Sequence, residues 1–414
     1  CVVPRFPPSS RQMSEADSSY AWMRLAIALL IGTIGSVGMW SVVVALPTVQ
    51  AEFGVARGAA SLPYTFTMLG LAFGGIMMGR LADRFGIGWP LVCAGIALAL
   101  GYIGSASATS LWQFALAHGV FIGCFGTAAT FAPVMADMSH WFKRRRGIAV
   151  AIVAAGNYFA GAIWPPIVQH FISTQGWRAT HIGIGVFCAI TIIPLSWAMQ
   201  RPAPAHDMQA AETASAGARG ELGLSAGALQ ALLAAAGLAC CVAMAMPQVH
   251  IVAYCGDLGY GVARGAEMLS LMLGFGIISR IGSGWIADRI GGLRTMLLGS
   301  TLQGLTLLLY FFFDGLASLY VISALFGLVQ GGIVPSYAII VREYFSPFEA
   351  GARVGIVIMA TLFGMALGGW MSGVVFDLTG SYQAAFANGL AWNLVNISIG
   401  LWLILRARLR LAPI

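Results

Sequence analysis

The sequence predicts an all-α membrane protein, with twelve transmembrane helices in two six-helix halves. Three observations carry that expectation. The chain is 59% hydrophobic and only 9% charged over 414 residues, with a mean hydropathy of +0.84; a soluble domain is about 45–50% apolar and about 25% charged. Some twelve stretches meet the requirement of roughly 17–25 apolar residues for a spanning helix. One charged phrase also occurs twice: Gly79-Arg80-Leu81-Ala82-Asp83-Arg84-Phe85-Gly86 returns as Gly284-Trp285-Ile286-Ala287-Asp288-Arg289-Ile290-Gly291. Each copy lies in a short gap between apolar runs, at matching places in the two halves, as in an internally duplicated bundle.

In chain order, 1–21 is polar and Pro/Ser-rich and reads as a disordered cytoplasmic tail. Spans are expected near 22–49, 59–80, 89–108, 111–138, 146–171 and 180–199, which together make an N-terminal bundle over 22–199. The first is too long for the apolar core of a signal peptide and reads as a retained anchor. The interval 200–226, rich in Ala, Gly, Ser and Pro, reads as a flexible cytoplasmic linker. A C-terminal bundle over 227–405 follows, with spans near 227–255, 265–287, 293–313, 317–341, 352–376 and 384–405, and then a cytoplasmic tail over 406–414. Gly, at 53 residues, suits a bundle in which small residues let backbones approach. The Gly-x-x-x-Gly pairs Gly75/Gly79, Gly119/Gly123, Gly327/Gly331 and Gly364/Gly368 fit that use.

Charge then sets orientation. The gaps after even-numbered spans, and the 200–226 interval, hold Arg80, Arg84, Lys143, Arg144, Arg145, Arg146, Arg201, Arg219, Arg289, Arg294, Arg342 and Arg353, and Arg24 is counted with the N-terminal tail. The opposite gaps hold only Arg57, Arg178 and Arg264. Positive charge marks the cytoplasmic side, so both termini are expected inside, in a cell membrane and most simply a bacterial inner membrane. The net charge of +7 therefore reads as topology, not as a nucleic-acid surface, which would gather its charge on a solvated face. Isolated cysteines within spans (Cys93, Cys124, Cys188, Cys240, Cys241) read as small buried hydrophobes. Gly274-Phe275-Gly276 lies inside an apolar helix, without the strand that a dinucleotide loop follows. No enzyme, metal or cofactor motif is found, and none is expected.

One basic residue belongs to neither set. Arg280 lies eight positions before Asp288, so the helical rise places it roughly 12 Å above the cytoplasmic end. An Arg at that depth costs about 2.5–3.5 kcal/mol unless paired or hydrated. A fixed guanidinium facing a cavity suits an anion, since it grips a carboxylate through two parallel hydrogen bonds. The absence of Lys or Arg from 355–376 favours a monoanion over a dianion. Other intramembrane polar groups are candidate cavity residues: Asn157, Tyr158, Gln248, Gln330, Tyr337 and, near the start of the second span, Tyr64. His118 and His250 are candidate proton carriers.

The repeated Gly-x-x-x-Asp-Arg-x-Gly loops resemble the signature of the major facilitator superfamily. Trp141-Phe142-Lys143-Arg144-Arg145-Arg146-Gly147-Ile148-Ala149, continuing to Ala155-Gly156, is similar to the fifth-span signature of its monocarboxylate transporter family. Asp377-Leu378-Thr379-Gly380-Ser381-Tyr382 resembles that family's segment between the last two spans. The resemblance implies a secondary transporter working by alternating access, with Asp83, Arg84, Asp288 and Arg289 as gating residues; Arg145 and Glu343 are expected with them, and Asp137, near the cytoplasmic end of the fourth span, is expected in the gate with the basic cluster. It also implies a substrate-linked Arg at position 280. Members that couple to protons carry an Asp one turn earlier, where this chain has Gly276.

The expected function is carriage of a small organic monoanion, with a proton alongside, by a monomer in the bilayer. An anion exchanger without proton, an efflux carrier for hydrophobic compounds and a non-transporting solute sensor are the alternatives.

Overall fold

The computed structural model describes residues 17–142, 145–201 and 222–411. Among them are twelve helices long and apolar enough to cross a membrane. In chain order these are α1 (Ser19–Phe53), α2 (Arg57–Phe85), α3 (Gly88–Ala106), α4 (Leu111–Trp141), α5 (Ile148–Gln175), α6 (Trp177–Ala198), α7 (Ala226–Asp257), α8 (Val262–Ile290), α9 (Gly292–Phe312), α10 (Leu316–Tyr344), α11 (Glu349–Thr379) and α12 (Tyr382–Ala407). Segments 1–16, 202–221 and 412–414, with Lys143 and Arg144, lie outside the described residues, and with them most of the expected N-terminal tail and linker and the end of the C-terminal tail.

Helix ends follow local chemistry. The Ser18, Ser110 and Ser225 hydroxyls accept from backbone N–H groups at the starts of α1, α4 and α7, satisfying donors that a helix N-terminus leaves open. The last glycine of the repeated phrase ends its helix both times. Gly86 has φ 81° and donates its N–H to Ala82 O; Gly291 has φ 83° and donates to Ala287 O. An L side chain rarely adopts that backbone conformation, which explains why both copies keep Gly there. Proline is tolerated inside the spans at Pro47, Pro133, Pro165, Pro166, Pro194 and Pro247, because neighbouring helices re-satisfy the freed carbonyls.

α1–α6 pack mainly on one another, as do α7–α12, and the two sets meet chiefly through α5 against α8 and α2 against α11. Close packing uses Gly as expected at three of the four pairs. A Cβ at Gly119 would press on Phe66, at Gly331 on the Gly276 carbonyl, and at Gly368 on Val242. The fourth pair is a correction: a Cβ at Gly75 or Gly79 would meet nothing within 4 Å. The spacing there lies on an open face, because periodicity fixes which residues share a stripe but not which helix faces it.

A second correction concerns Arg24. It sits inside α1, fully buried, and pairs with Asp137 of α4 at 2.9 Å. Its guanidinium also donates to the Met199 carbonyl and lies 4.6 Å from the Trp141 ring centroid. Arg24 thus ties α1, α4 and the end of α6 together.

Candidate functional site

The site is built where α8 meets α5. Gly276 has no side chain, and the Tyr158 ring occupies the place where a Cβ would point. One turn further along α8, the Arg280 guanidinium lies over that same ring, 4.9 Å from its centroid. Its Nη1 donates to the Ala154 carbonyl at 2.6 Å. Ala154 ends the first segment of α5, which breaks at Ala155 and resumes at Gly156. The last carbonyls of a helix lack intrahelical partners and carry partial negative charge, so the break supplies the cation with a neutral acceptor. Arg280 Nε is buried with no partner, and none of the ion pairs among the described residues includes Arg280. Guanidinium, aromatic face and carbonyl leave one buried N–H donor unused, which an anion can accept.

The neighbouring candidates divide into two groups. Asn157 is brought to α1, where Trp40 Nε1 donates to its Oδ1 at 3.1 Å and its carbonyl at 3.2 Å. Gln248 Nε2 donates to Gln330 Oε1 at 2.8 Å, while Gln330 Nε2 is buried without a partner. The Tyr64 hydroxyl is likewise buried and unpartnered, with its ring against Gly369 of α11. These groups retain free hydrogen-bonding capacity. Tyr337 does not: its hydroxyl donates to Asn396 Oδ1 at 2.8 Å, and Asn396 continues to Ser300 at 2.6 Å. His250 bonds the Gly369 carbonyl through Nε2 at 2.8 Å and His118 the Phe114 carbonyl through Nδ1 at 3.0 Å, while His250 Nδ1 and His118 Nε2 are buried without a partner. Among the described residues no group of three or more His, Cys, Asp or Glu is placed to hold a metal.

The charged residues expected at the gate occupy the end that carries the Arg-rich gaps. Asp83, Arg84, Asp288 and Arg289 are exposed there, and none forms an ion pair among the described residues. Arg84 lies over Phe85 and Arg289 over Trp285. Arg145 is exposed, 5.8 Å from the Trp22 ring centroid. Asp137 was expected to join the basic cluster after α4, but it pairs with Arg24 instead, because α1 brings a buried guanidinium within reach. Glu343 accepts from Gly292 N–H at 3.0 Å and caps the start of α9.

At the opposite end the two sets of helices are bonded together by residues that sequence reasoning missed. Arg57, 6% exposed, donates through Nη2 to Asp257 Oδ2 at 3.0 Å and through Nη1 to the Tyr382 hydroxyl. Tyr382 also donates to Asp257 at 2.9 Å. The Asp377 carboxylate receives the backbone N–H groups of Arg57 and Gly58, at 2.8 and 2.7 Å. A carboxylate from α11 thus caps the first turn of α2. The available signal was Arg57 itself, a rare cation in a basic-poor gap. Below this cluster Thr65 donates to the Ala366 carbonyl at 3.1 Å, and Ser270 of α8 donates to the Ala162 carbonyl of α5. At this end side chains bond the two sets of helices together; at the other the charges of the repeated phrase are exposed.

A family model described as Major Facilitator Superfamily matches residues 28–317 and 281–412. Monocarboxylate transporter 13 of Bos taurus is 27% identical over 388 residues, covering 89% of this chain and 86% of that protein. Monocarboxylate transporter 11 of Homo sapiens is 26% identical over 403 residues, covering 93% and 83%. Among solved structures, a bacterial homolog of the human lysosomal transporter Spinster, in an inward-facing and unoccupied conformation, superimposes with TM-score 0.71 at 14% identity, covering 96% of this chain and 98% of that one. A point mutant of the nucleoside transporter NupG does so with TM-score 0.67 at 15% identity, covering 92% and 99%.

Proposed function

The chain belongs to the major facilitator superfamily, and from that membership we propose that it moves a small organic monoanion, a lactate- or pyruvate-like monocarboxylate, across the membrane with a proton in symport. That it is a multi-pass membrane transporter of a small molecule follows from family and fold. The observation that carries the finer reading is Arg280, a mid-span guanidinium with a buried, unpartnered Nε and no carboxylate pair. A monoanion would take up that donor and neutralise the charge, and Tyr158, Asn157, Gln248, Gln330 and Tyr64 would shape the pocket around it.

Alternating access supplies the mechanism. The six-helix halves, 22–199 and 227–405 joined by 200–226, rock about the site between a form sealed at the basic-poor end and one sealed at the basic end. The Arg57, Asp257, Asp377 and Tyr382 cluster is the seal in the first form. Asp83, Arg84, Arg145, Asp288 and Arg289, with Asp137 and Glu343 stabilising the helix ends beside them, act in the second. On this reading both termini face the cytoplasm of a cell membrane, most simply a bacterial inner membrane, and one chain suffices.

Purified protein in liposomes should accumulate radiolabelled L-lactate or pyruvate, faster with acid outside. A specific observation favours a second reading, exchange without a proton: Arg280 is balanced by a carbonyl and an aromatic ring, so it has no titratable carboxylate to release. Uptake that ignores the pH gradient but requires internal anion would establish exchange in place of symport.

A further inference from the structure

A groove separate from the anion site runs along α2 where it passes α3 and α4. It holds about 640 Å³ and is walled by Phe73, Met77 and Phe85 of α2, Cys93 of α3 and Phe125 of α4. Phe73 lies at its mid-span end and stands edge-on to Phe363 of α11, with ring centroids 5.7 Å apart. The groove opens away from the bundle. Phe73 and Met77 each follow a buried residue, Tyr64 and Met68, by nine positions. Nine residues are about two and a half helical turns, which sets Phe73 and Met77 on the opposite side of α2 from that buried pair. Phe73, Met77 and Phe85 are 56%, 40% and 54% exposed, and on a spanning helix that surface meets lipid.

The same wall carries Arg80 and Arg84. Spaced four apart, they share one face of α2, where like charges repel. Among the described residues neither enters an ion pair. Arg84 lies over its neighbour Phe85, 5.1 Å from the ring centroid. Asp83, the carboxylate of the same turn, does not line the groove. The other copy of the repeated phrase handles its cation differently. Trp285 stands where the first copy has Arg80, and Arg289 lies on that ring at 3.4 Å. One copy therefore covers its guanidinium with its own indole, while the other presents two guanidiniums beside an apolar groove.

We infer that this groove binds an anionic phospholipid, its phosphate held by Arg80 and Arg84 and one acyl chain lying along Phe73, Met77 and Phe125. Guanidinium groups match phosphate oxygens through paired hydrogen bonds, and an anion between the two cations relieves their repulsion. The apolar length selects a lipid over a free phosphate. From Phe73 to Arg84 the helix rises roughly 16 Å, a stretch that an acyl chain covers and a small ion leaves bare. The depth also fits. Arg84 is in the last turn of α2 and Arg80 is one turn deeper, within the reach over which long cationic side chains extend to the headgroup level. Basic pockets at the cytoplasmic ends of spans attract anionic headgroups, and this end carries the Arg-rich gaps. The site follows from the membrane fold and does not depend on which solute is carried.

The test is native mass spectrometry of the full chain in a non-ionic detergent, titrated with phosphatidylglycerol or with phosphatidylcholine of the same acyl chains. The wild type should retain one phosphatidylglycerol at lower concentration than phosphatidylcholine. Arg80→Gln with Arg84→Gln should weaken phosphatidylglycerol retention roughly thirtyfold, from the typical worth of two surface cations, and erase the preference. Arg80→Gln alone, at an exposed position, should give an intermediate shift and serves if the double variant does not fold. Arg289→Gln with Arg294→Gln removes as many charges from the same end outside the groove and should leave retention unchanged. Met77→Trp, which fills the groove, should weaken both lipids. The inference is overturned by equal retention of the two lipids in the wild type, or by unchanged retention in the Arg80 and Arg84 variants. An equal loss in the Arg289 and Arg294 variant would reduce the effect to diffuse charge and overturn it too. Unchanged binding in Met77→Trp would take the acyl chain out of the groove, and displacement of the lipid by millimolar inorganic phosphate would make the site one for a free anion; either result rejects the lipid site.

Discussion

At the residue scale, the anion reading depends on one guanidinium and on the glycine a turn before it. Arg280→Ala should abolish L-lactate uptake in liposomes while the protein still elutes as a single folded species. Arg280→Lys should recover little, since an ammonium keeps the charge but not the two-pronged geometry; wild-type uptake with Lys would reduce the site to a generic positive charge. Gly276→Ala places a methyl where the Tyr158 ring now lies. Overpacking of that kind costs about 1–3 kcal/mol. The expected result is weaker substrate affinity, partly restored by Tyr158→Ala in the same chain; an unchanged affinity in Gly276→Ala would show that the ring does not set the position of Arg280. Arg280 itself was legible in the sequence, because a charge at that depth stands out against lipid. The role of Gly276 was not, since a missing side chain says nothing about which ring fills its place.

At the scale of elements, two buried arginines have opposite relations to motion. Arg24 joins α1, α4 and the end of α6, all among the first six spans, so its pairing need not change in the proposed rocking of the halves. Removing its partner with Asp137→Ala leaves a buried unpaired cation, a change that typically costs about 3–5 kcal/mol. Thermal unfolding in detergent should fall clearly, and an unchanged midpoint would mean that water reaches Arg24. Arg57 instead bonds α2 to α7, α11 and α12 across the two sets. Asp377→Asn keeps the shape but weakens the charge-assisted cap on the first turn of α2. A cysteine introduced at Thr65 should then react faster with a membrane-impermeant thiol reagent added from the basic-poor side, in a background lacking the native cysteines. Equal rates with and without Asp377→Asn would show that the cluster does not hold that side shut. The repeated phrase marked two matching gaps from sequence alone, though the helices run on through it to Gly86 and Gly291, whereas the Arg57 cluster joins residues some two or three hundred positions apart in the chain. No local pattern announces such a meeting.

For the whole molecule, the proposed seal rests on where bonds cross between α1–α6 and α7–α12. They cross at the basic-poor end and at the middle, through Arg57, Thr65, Ser270 and Arg280. The charges of the repeated phrase stand exposed at the other end. A double variant, Arg57→Gln with Asp377→Asn, should therefore shift the population toward the form open at the basic-poor side, read as longer distances between spin labels placed on α2 and α11 near that end. Distances that stay at the wild-type value would place the seal elsewhere.

The sequence by itself determined the twelve spans, the side on which positive charge collects, and the presence of Arg280 within one of them. Each of these reflects what a single segment costs in lipid or water, a quantity read along the chain without knowing its neighbours. Only the tertiary structure decided that Asp137 belongs to Arg24, that Gly75 and Gly79 face open space, that Tyr158 fills the gap at Gly276, and that α3 and α4 complete the groove beside Arg80 and Arg84. Those outcomes depend on how each helix is rotated and which helix it meets. Rotation is set by packing and hydrogen bonds between distant segments, and neither is written in the hydropathy of any one of them.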